Sequence, residues 1–317
     1  MIRILHIDTN HPNLVDGLKS LGYDNVINTT ASKEEIESEI ENYHGLVLRS
    51  RFPIDSIFLH KAKKLKFIAR VGSGLENIDI KTAQKLGIDV VAAPEGNSPA
   101  VGEHALAMLL SLFNNIPNAN DEVHMGIWQR EANRGEELGG KTVGIIGYGH
   151  TGKQFAKKLL GFDVTVLCHD ILPNIGDSFA QQVSLKTLKK KADIVSLHLP
   201  LNDSTHQYVN QRFIEEMKRP FWLINTARGN QVVTDDLVEG LKSNKIKGAC
   251  LDVLDIETSA FNVAFTQSTQ WVYLSQHPKV LLSPHVAGWT TQSHLKLSEV
   301  ILSKITSLLE GKNVNKT

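Results

Sequence analysis

The stretch Gly147-Tyr148-Gly149-His150-Thr151-Gly152 follows the apolar run Thr142–Ile146 and leads into Lys153–Leu160, whose apolar spacing is helical. In a strand–turn–helix, each glycine of such a motif has a physical task. Gly147 permits the tight turn, Gly149 lets backbone approach a pyrophosphate, and Gly152 lets helix and strand pack closely. The phosphates would then meet the free N–H groups and positive dipole of the helix start, beside His150 and Thr151. A second apolar run, Val164–Cys168, leads to Asp170. A carboxylate about 20 residues beyond the glycines accepts hydrogen bonds from an adenosine ribose and repels an extra phosphate there, so NAD is expected over NADP.

Hydride chemistry on a hydroxy acid needs three further groups. A base must take the hydroxyl proton, a cation must hold the carboxylate, and a third group must tune the base. Arg228, Glu257 and His285 suit these tasks, and each lies beyond the end of an expected strand, where ligands bind in open α/β sheets. The guanidinium of Arg228 presents a planar fork that matches a carboxylate. A carboxylate such as Glu257 beside His285 should raise the imidazole pKa, which suits a proton donor. Taken singly, each residue also has an ordinary reading: a solvated Arg after a strand, or a surface or capping His among 13. No spacing of Cys and His reads as a zinc site, so no metal is expected.

Short β-branched or leucine-rich runs alternate with stretches of helical period, the signature of βαβ units and mainly parallel sheets. Strands are expected at Ile2–Ile7, Gly45–Leu48, Phe67–Val71 and Val90–Ala92, then at Thr142–Ile146, Val164–Cys168, Ile194–Leu199, Trp222–Asn225, Gly248–Val253 and Val280–Ser283. Between the two sets, Ser98-Pro99 reads as an N-cap followed by a first-turn proline. Val101, Ala105, Met108, Leu109 and Leu112 mark one face of that helix. The stretch Asn114–Gly140 is a linker, or an arm packing on a second subunit. A last helix runs from about Thr291 to Glu310, stopped by Gly311. Pattern alone thus gives two α/β domains split near residue 97.

Composition narrows the partners. Among 317 residues, 34 Lys plus Arg balance 34 Asp plus Glu, with a pI near 7.2, so there is no electrostatic footprint for nucleic acid or an anionic membrane. One or two well-placed arginines would still suffice for a phosphorylated small molecule. Cys168 and Cys250 each end an apolar run and are expected reduced and buried, as in a cytoplasmic protein. The N-terminus reads as a strand rather than a signal segment, and no run of about 18 apolar residues could span a bilayer.

In order, these segments resemble the D-isomer-specific 2-hydroxyacid dehydrogenases over nearly the whole chain. The matching pieces are Arg70–Asp79, Asn97–Glu103, Gly147–Gly152 with Asp170, Ser196–Pro200, Asn225–Gly229, Leu251–Val253 with Glu257, and Ser283–Gly288. The resemblance implies a Rossmann-type doubly wound cofactor domain (98–287) inserted in a flavodoxin-like lid domain (1–97 plus 288–317). It also implies a homodimer that embraces through 114–140. By the same resemblance Arg228 binds the substrate carboxylate, His285 is the acid/base paired with Glu257, and the backbone of Val71, Gly72 and Ser73 holds the carboxylate from the lid. His198, Leu199, Pro200, Thr205, Thr226, Ala227, Asp252 and Gly288 match dinucleotide-lining positions, and Ser50 and Asn97 stand with the substrate residues.

Within the family, the nearer likeness is to members acting on a phosphorylated 2-hydroxy acid. Arg49 and Arg51 resemble their phosphate-side segment, and Arg70 resembles a second basic position. The alternatives are a hydroxypyruvate or glyoxylate reductase of the same family, and an NADH-sensing binding protein. Thr258 stands where the family usually has Pro, and 259–276 is long and aromatic. The sequence ends at Thr317 without the regulatory domain many such members append, so serine feedback through one is not expected.

Overall fold

The computed structural model describes residues 1–257 and 268–311. It divides into two compact units, residues 1–97 with 289–311, and residues 98–257 with 268–288. Each is a parallel α/β sheet, the class expected from the alternating pattern. Among the described residues, no helix is long and apolar enough to cross a membrane, and both cysteines are buried free thiols.

Unit 1 carries β1 (Arg3–His6), β2 (Asp24–Ile27), β3 (Gly45–Leu48), β4 (Phe67–Arg70) and β5 (Asp89–Ala92) in the order β2-β1-β3-β4-β5. This is the flavodoxin-like order. Successive strand residues point to opposite faces and build two cores. Ile4, Val47, Ala69 and Val91 meet Leu14 and Leu18 of the helix Pro12–Ser20 and Leu297, Ile301 and Ile305 of the helix Thr291–Leu309. Leu5, Leu46, Ile68 and Val90 pack with Ile36 and Phe58 on the other face. The last helix therefore completes the unit begun by the first strand, and it ends before Gly311 at φ 70°.

Unit 2 carries β6 (Thr142–Ile146), β7 (Thr165–His169), β8 (Gln181–Gln182), β9 (Ile194–Leu197), β10 (Phe221–Asn225), β11 (Ile246–Leu251) and β12 (Val280–Leu282). Their order, β12-β11-β10-β9-β6-β7-β8, is the Rossmann arrangement extended by one strand. The direction of winding reverses at β6, between β7 and β9, and this is the switch point where such sheets bind ligands. Val143, Ile145, Ile224 and Cys250 line one buried face, and Ile146, Leu223, Ala249 and Leu251 the other.

Three local readings change. The helix expected to start at Ser98-Pro99 begins at Pro94 and runs to Phe113. Pro99 lies inside it, where the proline removes the bond its N–H would have made one turn back. In the stretch read as a linker or arm, Ile116–His124 is a helix. The strands Asp24–Ile27 and Gln181–Gln182 were not expected. Both lie at sheet edges and carry polar residues, so neither reads as a continuous apolar run.

Candidate active site

Gly147 leaves β6 at φ 88°, and a Cβ there would sit 2.5 Å from the carbonyl oxygen of His198. A Cβ on Gly152 would sit 2.2 Å from the Gly147 oxygen, so the turn can close only on glycine. At Gly149 a Cβ would meet nothing within 4 Å, and the helix His150–Lys158 starts there without a side-chain cap. Its first-turn N–H groups are thus offered to an anion. Asp170 sits beside this turn, accepting from Tyr148 N at 2.7 Å and Leu172 N at 3.0 Å. The Oγ1 of Thr226 is buried without a hydrogen-bond partner among the described residues. An open glycine, an uncapped helix start, an adjacent carboxylate and an orphaned hydroxyl together fit a dinucleotide.

Several residues expected to line that dinucleotide have other work. The imidazole of His198 is buried between Ser196 Oγ, at 2.8 Å, and the ring of Phe155, and burial pushes its pKa down to about 3. It is a neutral core residue whose backbone carbonyl, not its ring, touches the glycine turn. Thr205 donates its hydroxyl to the Pro200 carbonyl at 2.6 Å. The carbonyls of Leu199 and Pro200 both accept from Gln231 Nε2 at 3.0 Å. Gln231 is fully buried and was missed by sequence reasoning, because nothing local marks a loop polar residue as the brace of another loop.

The three residues expected to carry the catalysis follow neighbouring strands of unit 2. Asn225 shapes the turn after β10: its Oδ1 accepts from Ala227 N at 3.1 Å and its Nδ2 donates to the Arg228 carbonyl at 2.9 Å. Arg228 is half-buried, with Nη1 on the Ala227 carbonyl at 2.7 Å. His285, after β12, holds its Nδ1 2.6 Å from Glu257 Oε2, with side chains 20% and 13% exposed. Its backbone is left-handed, at φ 54°, a conformation unusual outside glycine and costly to hold. Asp252 holds it: the Asp252 carbonyl accepts from His285 N at 2.8 Å. The Asp252 carboxylate accepts from Ser283 Oγ at 2.6 Å, Val286 N at 2.9 Å and Ala287 N at 2.8 Å. Asp252 therefore clamps the histidine loop, and Gly288 ends that loop. Thr258 and residues 259–267 lie outside the described residues.

The unit 1 residues separate into two kinds. Arg51 is spent on the fold: Nη1 donates to the carbonyls of Ile7 and Asn28 at 3.1 Å each, and Nη2 to that of Ala31. Its guanidinium is thus engaged by backbone carbonyls of unit 1. Arg49 instead lies with its guanidinium 4.0 Å from the centre of the Trp289 ring, and its backbone N–H is held by Asp8. Ser50 is half-buried between them. Arg70 ends β4 opposite Leu48 of β3, so Arg49 and Arg70 leave neighbouring strand ends. Arg70 folds over the next turn, where a Cβ on Gly72 would lie 1.4 Å from its Nη1. Val71 N and the Gly72 carbonyl are tied to Leu48 and Ala93, and Ser73 Oγ donates to Asn97 Oδ1 at 2.6 Å. Among the described residues, no group of His, Cys, Asp and Glu is placed to hold a metal.

Residues 106–287 match the family described as D-isomer specific 2-hydroxyacid dehydrogenase, NAD binding domain. The chain is 32% identical to D-3-phosphoglycerate dehydrogenase of Archaeoglobus fulgidus over 94% of its own length, and spans 55% of that protein. It is 33% identical to hydroxypyruvate reductase of Thermotoga maritima, covering 86% of this chain and 87% of that one. Among solved structures, D-lactate dehydrogenase from Aquifex aeolicus, complexed with NAD and lactic acid, superposes with a TM-score of 0.83. That alignment has 27% identity and covers 98% of this chain and 96% of the other.

Proposed function

The chain belongs to the D-isomer-specific 2-hydroxyacid dehydrogenases, NAD-dependent oxidoreductases, and on that premise we propose that it interconverts D-3-phosphoglycerate and 3-phosphohydroxypyruvate, the reaction that opens serine biosynthesis. The observation that carries the chemistry is the 2.6 Å pair of His285 and Glu257, with Arg228 following an adjoining strand of the same sheet. NAD, when bound, takes or gives the hydride at its nicotinamide ring. In reduction, Arg228 holds the substrate carboxylate and polarises the neighbouring carbonyl. His285, with Nδ1–H directed at Glu257, delivers a proton from Nε2 to the C2 oxygen as the hydride reaches C2. In oxidation neutral His285 takes that proton, and Glu257 stabilises the imidazolium that forms. Asp170 favours NAD over NADP, because a 2′-phosphate would meet its carboxylate.

The phosphate is assigned to Arg49 and Arg70, which leave neighbouring strand ends in unit 1, and the backbone of 71–73 to the carboxylate. Ile116, Val123, Met125, Ile127 and Trp128 are exposed, Trp128 at 78%, which supports a homodimer through 114–140. A second reading, reduction of unphosphorylated hydroxypyruvate or glyoxylate, is favoured by the loss of Arg51 to backbone carbonyls.

The test is NADH oxidation by purified protein with 3-phosphohydroxypyruvate, hydroxypyruvate and glyoxylate. A preference in kcat/KM of tenfold or more for the phosphorylated acid, about 1.4 kcal/mol of transition-state discrimination, is expected. Equal or weaker use of it would select the second reading.

A further inference from the structure

In unit 2, the apolar stripe along residues 98–113 of the helix Pro94–Phe113 is interrupted by one polar side chain. Val101, Ala105 and Met108 are buried along it, and His104 occupies the same face. A histidine half-buried on a core-facing stripe loses solvent without gaining apolar contact, so its partners decide its role. Its Nε2 lies 2.9 Å from Ser283 Oγ and 3.6 Å from Asp252 Oδ1.

Proton counting fixes the direction of this chain. The hydroxyl of Ser283 has one hydrogen. Asp252 Oδ1 stands 2.6 Å from that hydroxyl and is the strong acceptor, whereas Met108 Sδ, at 3.7 Å, is a weak one. With its hydrogen on Asp252, Ser283 Oγ can only accept from His104. His104 must then carry its proton on Nε2, and the run is His104 Nε2–H to Ser283 Oγ–H to Asp252 Oδ1. Asp252 is 1% exposed, and the same carboxylate holds Val286 N and Ala287 N, the two residues that follow His285.

We infer that His104 is a positioning residue for the acid/base histidine, acting through Ser283 and Asp252 to hold the left-handed backbone of His285. It moves no proton in the reaction. By donating to Ser283 it turns that hydroxyl toward Asp252. Without it the hydroxyl can rotate away, leaving a buried carboxylate with two donors instead of three and a looser histidine loop. The expected loss is therefore in the chemical step and not in cofactor binding. This rests on the reading of His285 as the acid/base.

The test compares His104→Leu and His104→Gln with the unaltered protein, measuring kcat, KM for NADH and KM for the preferred keto acid. Leucine removes the donor, while the Gln amide nitrogen can replace Nε2–H. His104→Leu should lower kcat by about tenfold with KM for NADH within twofold, and His104→Gln should recover most of kcat. Unchanged kcat in His104→Leu overturns the inference. Equal losses in both variants, with the melting temperature lowered alike, overturn it as well and assign His104 to packing. Loss of turnover in His285→Ala is scored separately: if that variant keeps turnover, the acid/base reading fails whatever His104 does.

Discussion

Arg49 and Arg51 stand two positions apart after one strand and yet serve different ends, and only the directions of their guanidinium groups separate them. Arg51 binds three carbonyls of residues 7, 28 and 31 within its own unit, each a charge-assisted bond to a group that would otherwise need another donor. Arg51→Met should therefore cost about 2–4 kcal/mol of stability, read as a lowered melting temperature, and leave the ratio of phosphorylated to unphosphorylated turnover unchanged. Arg49→Ala should do the reverse, lowering kcat/KM for the phosphorylated acid at least tenfold while stability changes little. If Arg51→Met alters the ratio and Arg49→Ala does not, the two assignments are exchanged. At this scale residue types were legible and orientations were not. A carboxylate just past a strand end reads the same whether it faces a ribose or, as Asp252 does, clamps the next loop. Arg228, Glu257 and His285 stand out in the sequence because the proposed chemistry asks for those three types after successive strands.

Elements were legible where burial is two-sided. β6, β9 and β10 are covered on both faces and are predominantly apolar, so their bounds fall within a residue or two of expectation. β2 and β8 are edges, and their pairing depends on the neighbouring strand rather than on their own pattern. The last helix was expected from its period, but its place in unit 1 follows from packing on the first strands. Ile301 is fully buried there, and Ile301→Ala should cost about 2–5 kcal/mol, measurable by denaturant unfolding. A cost below about 1 kcal/mol would mean that this helix is not integral to the unit. Between β9 and the helix His150–Lys158, His198 adds a pH dependence. Its folded pKa, about 3, lies below the ordinary 6.5, so the stability it contributes is fully present above pH 6.5 and is lost as pH falls toward 3. At pH 5 that loss is roughly 2 kcal/mol. The drop in melting temperature from pH 7 to pH 5 should shrink in His198→Asn, and an unchanged drop would contradict a neutral buried imidazole.

For the whole molecule, two parallel sheets could be anticipated from alternating strands and helices, whereas the Rossmann-type and flavodoxin-like strand orders were implied only by the family resemblance. Order is set by which crossover returns to which edge, and that information lies in contacts between residues far apart in the chain. It places the end of β6 at the switch point and brings the ends of β10, β11 and β12 side by side, so that three residues spread over 228–285 reach one region. The exposed apolar side chains around Trp128 belong to this scale too. Sedimentation should find a dimer, and Trp128→Glu with Met125→Glu should shift it toward monomer. A monomeric unaltered protein at micromolar concentration would remove that proposal.

In the proposed reaction His285, oriented by Glu257, exchanges the proton that accompanies hydride transfer. The most direct measurement is single-turnover NADH oxidation with the preferred keto acid in the unaltered protein and in His285→Ala, with NADH binding followed by fluorescence in both. NADH affinity should be unchanged and the chemical step slowed by roughly 100-fold or more, the usual contribution of a general acid. A His285→Ala protein that oxidises NADH at near-normal rate would contradict it.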